Sequence, residues 1–256
     1  MNNTGLYIYC LVNASESISF NTPGIGKEKV FTVSYKDIGA VVSRSPVIEY
    51  EICRENLIAH QLVMEESMAN FVVLPVKFGT VTEGEDGENE IIEKVLKTDF
   101  SELNELFKEM ADKHEMGLKV YWKDMNSIFA QIPNENPEIK RLKGAIEIKT
   151  SKGKTMKERN NIVKLGEMVK SALENKRELE KNRILSPLKK LAFDFKDNPS
   201  AFDKMILNAA FLIERKREEA FFQEVQRLDG QSESEIIYKY VGPVPPCNFV
   251  EIEIAW

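Results

Sequence analysis

A proline-rich corner near the C-terminus constrains this chain most strongly. The segment Tyr240–Val250 (YVGPVPPCNFV) carries three prolines within four positions, bracketed by apolar residues. Each proline ring removes an amide donor and fixes φ, so the segment is compatible with neither a helix interior nor a central strand. The sequence therefore predicts a rigid terminus to a strand at this point.

Length and composition indicate a soluble globular protein with either one large domain or two of ordinary size, and we expect two. The chain has 256 residues, 43% hydrophobic and 30% charged, with a formal net charge of −6. An acidic balance gives no electrostatic reason to expect nucleic acid or an anionic membrane as partner. Three scattered cysteines encode no disulfide framework, which fits a reducing cytoplasm. The N-terminal sequence lacks the positively charged region of a signal peptide and reaches Asn13 after only a short apolar run, so we expect neither a signal peptide nor a transmembrane helix there.

The first half predicts an α+β domain over residues 1–122. A buried strand over Leu6–Val12 is followed by a hairpin around Lys36 and Asp37, and the overall order is β-β-β-α-β-α-β. Such an interleaved order predicts a ferredoxin-like arrangement. In the helix predicted over Glu51–Ala69, six apolar side chains at helical spacing are expected to cover the sheet. They are Ile52, Leu57, Ile58, Leu62, Val63 and Met68.

The second half, residues 123–256, predicts a helix-rich α+β domain that ends in the proline-bracketed strand. Its main element is a long helix from Met156 to about Leu185, with Pro187 near its end. Lys77–Val81 and Tyr240–Val244 each place an aromatic residue near a glycine at a strand end. This weak internal echo is compatible with a duplicated domain, and chance similarity is the alternative.

The sequence patterns that could indicate catalysis or ion binding are each incomplete. The segment Pro23–Glu28 lacks the first glycine and the Ser or Thr of a phosphate-binding loop, so a glycine-rich turn is expected. His60 and His114 are the only histidines, and neither stands at a metal-ligand spacing. The acidic run Glu83–Glu90 lacks the order of a calcium loop and is expected to be a solvated loop. We therefore expect no enzyme activity, no metal and no cofactor.

The remaining candidates for function are proline-marked strand edges. Proline at the edge of a sheet can protect it against uncontrolled pairing, and the same edge can instead receive a partner strand or an apolar partner surface. Both interpretations stay open at this point. As a hypothesis, eight residues near these edges form a partner-binding surface. They are Leu74, Pro75, Phe78, Tyr240, Pro243, Pro245, Pro246 and Phe249.

Several blocks, taken in order along the chain, resemble the gas vesicle protein family GvpF/GvpL. Lys77 departs from them, since the family commonly has arginine there, and Cys247 stands where an aromatic or small residue is frequent. The blocks are Leu6–Tyr9, Ile38–Ser43, His60 with Val63–Glu65, Val73–Val81, Leu118–Trp122, Leu207–Ile213 and Tyr240–Val250.

The resemblance implies a two-domain α+β protein, each domain of the ferredoxin-like kind, that is an accessory protein of gas vesicles, the hollow gas-filled protein shells that give microbes buoyancy. It implies a minor structural component or assembly factor that contacts the hydrophobic shell protein and other accessory proteins. Its expected location is the cytoplasm and the vesicle. A small-molecule-binding regulator or enzyme, with a site between the two domains, is the alternative, because ferredoxin-like domains host many functions.

Overall fold

Two four-stranded β-sheets with the same strand order organise the chain. The computed structural model describes residues 4–46, 49–84, 86–147, 156–232 and 235–256. The first sheet contains β1 (Thr4–Val12), β2 (Val30–Tyr35), β3 (Ile38–Pro46) and β4 (Val73–Pro75), in the spatial order β2-β3-β1-β4. All three pairings are antiparallel, and β2 and β3 form the predicted hairpin. The α+β class predicted from the sequence is confirmed.

The first sheet is covered on both faces, which explains the continuous apolar run in β1. Leu6, Ile8 and Leu11 belong to a core shared with the segment 87–110, where α2 (Gly87–Glu90) continues into a π-helical turn (Ile91–Leu96) and α3 (Phe100–Met110) follows. Tyr7 and Tyr9 belong to a second core with α1 (Arg54–Met68). A bulge between Ile8 and Cys10 shifts the register. The acidic loop predicted over Glu83–Glu90 thus gives way to helix at Gly87; its Glu85 lies outside the described residues.

The predicted buried face of α1 is wrong for most of its members. Four of the six apolar side chains are exposed: Ile52 (77%), Leu57 (42%), Ile58 (44%) and Leu62 (46%). The side chains of α1 that are buried are His60, Val63, Met64 and Ser67. The physical reason lies in the sheet, because the hydroxyl of Tyr7 points at this helix and requires a polar partner, which His60 supplies.

The second sheet contains β5 (Lys113–Trp122), β6 (Asp194–Asp197), β7 (Met205–Glu214) and β8 (Ile236–Val244), in the order β6-β7-β5-β8. In both sheets the first and third strands are central, with the second and fourth at the edges. The topology is therefore repeated. Of the two segments of the internal echo, Lys77–Val81 follows the fourth strand of the first sheet, whereas Tyr240–Val244 lies in the fourth strand of the second.

Helices α4 (Met125–Glu135), α5 (Pro137–Glu147) and α6 (Met156–Lys189) connect β5 to β6, and α7 (Glu218–Gly230) connects β7 to β8. The side chain of Asp124 accepts hydrogen bonds from the amides of Asn126 and Ser127, which fixes the start of α4. Pro133 lies inside α4. The long helix is confirmed and extends past Pro187 to Lys189.

By contacts the chain divides into two compact units. Unit 1 consists of Met1–Met116, Leu212–Lys216 and Val241–Trp256, and unit 2 of Gly117–Phe211 and Arg217–Tyr240. This division differs from the contiguous domains 1–122 and 123–256, because the C-terminal segment packs with the first sheet. The division into domains 1–122 and 123–256 stays a prediction.

Candidate protein-binding surfaces

The outer edge of β4 is occupied by the chain's own C-terminal segment. The amide of Ile252 donates to the carbonyl of Pro75 (2.8 Å), and the amide of Lys77 donates to the carbonyl of Ile252 (3.0 Å). The ammonium of Lys77 also contacts the carboxylate of Glu253 at 3.0 Å. This edge is therefore already paired, which favours self-protection over partner binding there.

From Val250 onward, the C-terminal segment is held by alternate side chains. Phe249, Val250, Ile252, Ile254 and Trp256 are partly buried against the core of the first sheet. The intervening residues Glu251, Glu253 and Ala255 are exposed. This period of two is that of an extended chain with one face on a core, so the segment contributes apolar contacts as well as edge pairing.

The proline-rich corner aligns this segment through two contacts with β5. Gly242 has φ of 146°, and a Cβ added there would lie 2.2 Å from Sδ of Met116, so the position requires glycine. The carboxylate of Glu115, only 4% exposed, accepts hydrogen bonds from the amide of Asn248 (2.8 Å) and from its side-chain Nδ2 (2.5 Å). The corner therefore positions the C-terminal segment in unit 1.

The opposite edge of the first sheet is also covered. The amide of Thr32 donates to the carbonyl of Ile18 (3.1 Å), and the amide of Phe20 donates to the carbonyl of Val30 (3.3 Å). The loop before β2 thus pairs with that strand. Each edge of the first sheet is paired at least in part by the chain itself.

The eight residues predicted to bind a partner have different environments. Leu74, Pro75, Pro245 and Pro246 are buried, and Phe78, Tyr240 and Phe249 are half-buried. The ring of Tyr240 packs on α7, with its centroid 5.7 Å from that of Phe222. Pro243 is the exposed member of the set. Seven of the eight residues therefore contribute to packing. The exposed residue, Pro243, lies in β8.

Strand β8 is an edge of the second sheet and differs from the edges of the first sheet, which the chain's own segments pair. It is nine residues long and lies at the end of its sheet, and among the described residues no further strand pairs with it beyond β5. Ile236, Tyr238 and Tyr240 are buried or half-buried, whereas Ile237 and Val241 are 36% and 57% exposed. The opposite edge strand, β6, has four residues, of which three are charged. Of these two edges, β8 is the longer and more apolar.

A buried polar cluster lies beneath α1. The hydroxyl of Tyr7 lies 2.9 Å from Nδ1 of His60 and accepts a hydrogen bond from the amide of Gly79 (3.0 Å). Burial lowers the pKa of His60 to about 4. Burial also raises the pKa of Tyr7, although the hydrogen bond from Gly79 opposes this. Both groups are therefore neutral near pH 7, and the cluster joins α1, β1 and the loop after β4.

The described part of the chain holds no group of three or more His, Cys, Asp or Glu side chains placed to bind a metal ion. Within the same residues, no helix combines the length and apolar character needed to cross a bilayer.

Comparison with known proteins agrees with the resemblance noted in the sequence. A family model described as "Gas vesicle synthesis protein GvpL/GvpF" matches residues 5–251. The chain belongs to the GvpL/GvpF family. Its membership associates the protein with gas vesicles, as the blocks from Leu6–Tyr9 to Tyr240–Val250 predicted.

Relatives in this GvpL/GvpF family match over almost the whole chain. Gas vesicle protein F of a Nostoc species is 25% identical over 98% of this chain and 99% of its own length. Gas vesicle protein F of a Streptomyces species is 27% identical, covering 96% and 99%. The crystal structure of GvpF from an Anabaena species superposes with a TM-score of 0.79 at 24% identity, covering 97% and 99%. This structure confirms the fold.

One surface of this GvpL/GvpF-family chain was missed from the sequence. We define the α1 stripe as Leu57, Ile58 and Leu62, together with Ile52, which precedes the helix. Helical spacing identified these side chains but assigned them to the core. His60, Val63 and Ser67 also recur at the helical period, on another face of the same helix. This second, partly polar set was the signal in the sequence that α1 could bury that face instead.

Proposed function

We propose that this protein is an accessory factor in gas vesicle formation that contacts the hydrophobic shell protein in the cytoplasm. Family membership and the names of the relatives support a role connected with gas vesicles. Contact with the shell protein and with other accessory proteins is the part that we propose. We also propose that the protein acts without catalysing a reaction.

The observation that carries the proposal is the contrast between sheet edges. The chain's own segments pair with both edges of the first sheet, through Ile252 at one side and Ile18 at the other. The longer edge strand of the second sheet, β8, exposes Ile237 and Val241. Lys239 and Pro243 on the same strand limit indiscriminate pairing, because an edge charge and a missing amide both disfavour it. We infer that β8 is a selective contact strand.

Such an edge suits a partner that is rich in β-structure and apolar surface. A shell subunit of this kind is at risk of edge-to-edge aggregation before it is incorporated into a shell. Pairing of its backbone with β8, and contact of its apolar side chains with Ile237 and Val241, would restrain that aggregation and assist nucleation. Addition of a strand to an exposed edge needs no catalytic group.

Co-expression with the shell protein, followed by affinity purification of this chain, tests the proposal. We expect the wild-type protein to retain the shell protein and Ile237→Lys to retain much less, because lysine on an edge strand opposes pairing. Val163→Lys is the matched control, since Val163 is an exposed apolar residue (60%) on α6. The proposal is contradicted if the wild type does not associate with the shell protein and vesicles are normal after deletion of its gene.

The amount of the protein in finished vesicles separates two forms of this role. A factor that acts only during assembly is expected to be removed from isolated vesicles by washing with urea or detergent. An incorporated component is expected to remain at a fixed ratio to the shell protein. Quantitative mass spectrometry of vesicles before and after washing measures that ratio.

A further inference from the structure

The α1 stripe consists of exposed apolar side chains on helix α1 and just before it. Ile58 and Leu62 stand one turn apart on one face of α1 and are 44% and 46% exposed, and Leu57, next to Ile58 in sequence, is 42% exposed. Ile52, just before the helix, is 77% exposed. Single exposed apolar side chains are ordinary, but Ile58 and Leu62 share one face of α1, and apolar surface concentrated on one face is typical of an interaction site.

Carboxylates surround this stripe. Residues 49–69 contain five glutamates and one arginine, a net charge of −4. Glu51 and Glu55 are exposed near the start of the helix, and Glu65 is half-buried near its end, where Gln61 donates to it (2.7 Å). Arg54 is the single basic side chain in the segment. The surface therefore consists of an apolar stripe within an acidic frame.

We propose that the α1 stripe docks an amphipathic helix of a partner protein whose own apolar stripe is flanked by lysine or arginine. Ile58 and Leu62, spaced by four residues, form the kind of ridge that packs into the groove of another helix. Basic residues beside the partner's stripe would lie next to Glu55 and Glu65, and this charge complementarity selects the partner.

The same charges disfavour other occupants. A second copy of α1 would place glutamate against glutamate, which costs free energy at each like-charged pair. Nucleic acid and anionic lipid surfaces are repelled for the same reason. An added β-strand would find no free backbone edge on a helix whose amides and carbonyls are paired internally. The proposal concerns an element separate from β8 and does not depend on the contact proposed there.

Peptide binding to the full-length protein tests this inference. Three labelled helical peptides of about 18 residues, or five turns, serve as probes. The first has a leucine stripe flanked by lysine, the second has the same stripe flanked by glutamate, and the third has a glutamine stripe flanked by lysine. In fluorescence anisotropy, we expect the first peptide to bind at least about tenfold more tightly than either control.

Variants of the stripe locate the binding. Ile58→Ser with Leu62→Ser is expected to weaken binding of the first peptide by about tenfold or more, since both side chains supply apolar contact area. These side chains are exposed, so the variant should keep the circular dichroism spectrum and melting temperature of the wild type. Val163→Ser on α6 is the matched control, and its binding should equal that of the wild type.

Charge reversal gives the decisive result. Glu55→Lys with Glu65→Lys is expected to transfer the preference from the lysine-flanked to the glutamate-flanked leucine peptide. The inference is overturned if the wild type binds none of the peptides, if the serine variant binds as the wild type does, or if charge reversal leaves the preference unchanged. A monomer–dimer equilibrium that the serine variant abolishes would also overturn it, since the occupant would then be a second copy.

Discussion

Replacement of His60 by glutamine should remove a pH dependence from the stability of the fold. Burial lowers the pKa of His60 from 6.5 to about 4, so its neutral form is favoured in the folded protein. As the pH falls below 6.5, the unfolded chain binds a proton that the folded chain excludes, and stability is lost until the folded pKa is reached. At about 1.4 kcal/mol per pH unit, the interval from 6.5 to about 4 amounts to about 3 kcal/mol.

Between pH 7 and pH 5 about 2 kcal/mol of this loss should be measurable. Urea unfolding at both pH values, for the wild type and for His60→Gln, gives the free energy of unfolding in each case. Glutamine can still accept a hydrogen bond from the hydroxyl of Tyr7 but does not titrate. Carboxylates contribute equally to both proteins, so the wild type should lose about 2 kcal/mol more than the variant. Equal losses, or an NMR titration of His60 with a pKa near 6.5, would refute the reasoning.

Three further predictions follow from the corner, a helix glycine and the C-terminal segment. Gly242→Ala should lower the free energy of unfolding by about 1–3 kcal/mol, because the added Cβ meets Met116 and the φ of 146° is strained for alanine; urea unfolding near the wild-type value would contradict this. Gly166→Ala in α6 should raise that free energy by about 0.5–1 kcal/mol, since its Cβ meets open space; a lower melting temperature would count against it. Removal of residues 249–256 should uncover the β4 edge and promote aggregation detectable by light scattering; a shortened protein that stays monomeric would argue that the edge needs no cover.

Local patterns predicted the elements well where one periodicity dominated. The hairpin between β2 and β3 follows from two β-prone runs separated by Lys36 and Asp37, and the long helix follows from its stripe and its charges. The proline-rich corner was predicted to end a strand, and β8 does end at Val244, after including Pro243. Proline is tolerated there because β8 is an edge strand, as the proline-marked edge had predicted.

Placement of side chains between elements could not be predicted in the same way. In α1 two sets of residues share the helical period, one wholly apolar and one containing His60 and Ser67. Apolar content favoured the first set, whereas the buried hydroxyl of Tyr7 selected the second. The candidate surface on α1 was hidden for that reason. The helical spacing of its side chains predicted, wrongly, that they belong to the core.

The sequence by itself determined the α+β class, the principal helices and strands and, through its ordered blocks, the GvpL/GvpF family. Local propensity and turn chemistry decide such features within a few residues. Only the tertiary structure decided that Ile252 pairs with β4 and that Asn248 anchors the corner on Glu115. Each of these contacts joins residues more than a hundred positions apart, and their partners are fixed by hydrogen bonding and burial in three dimensions rather than by local pattern.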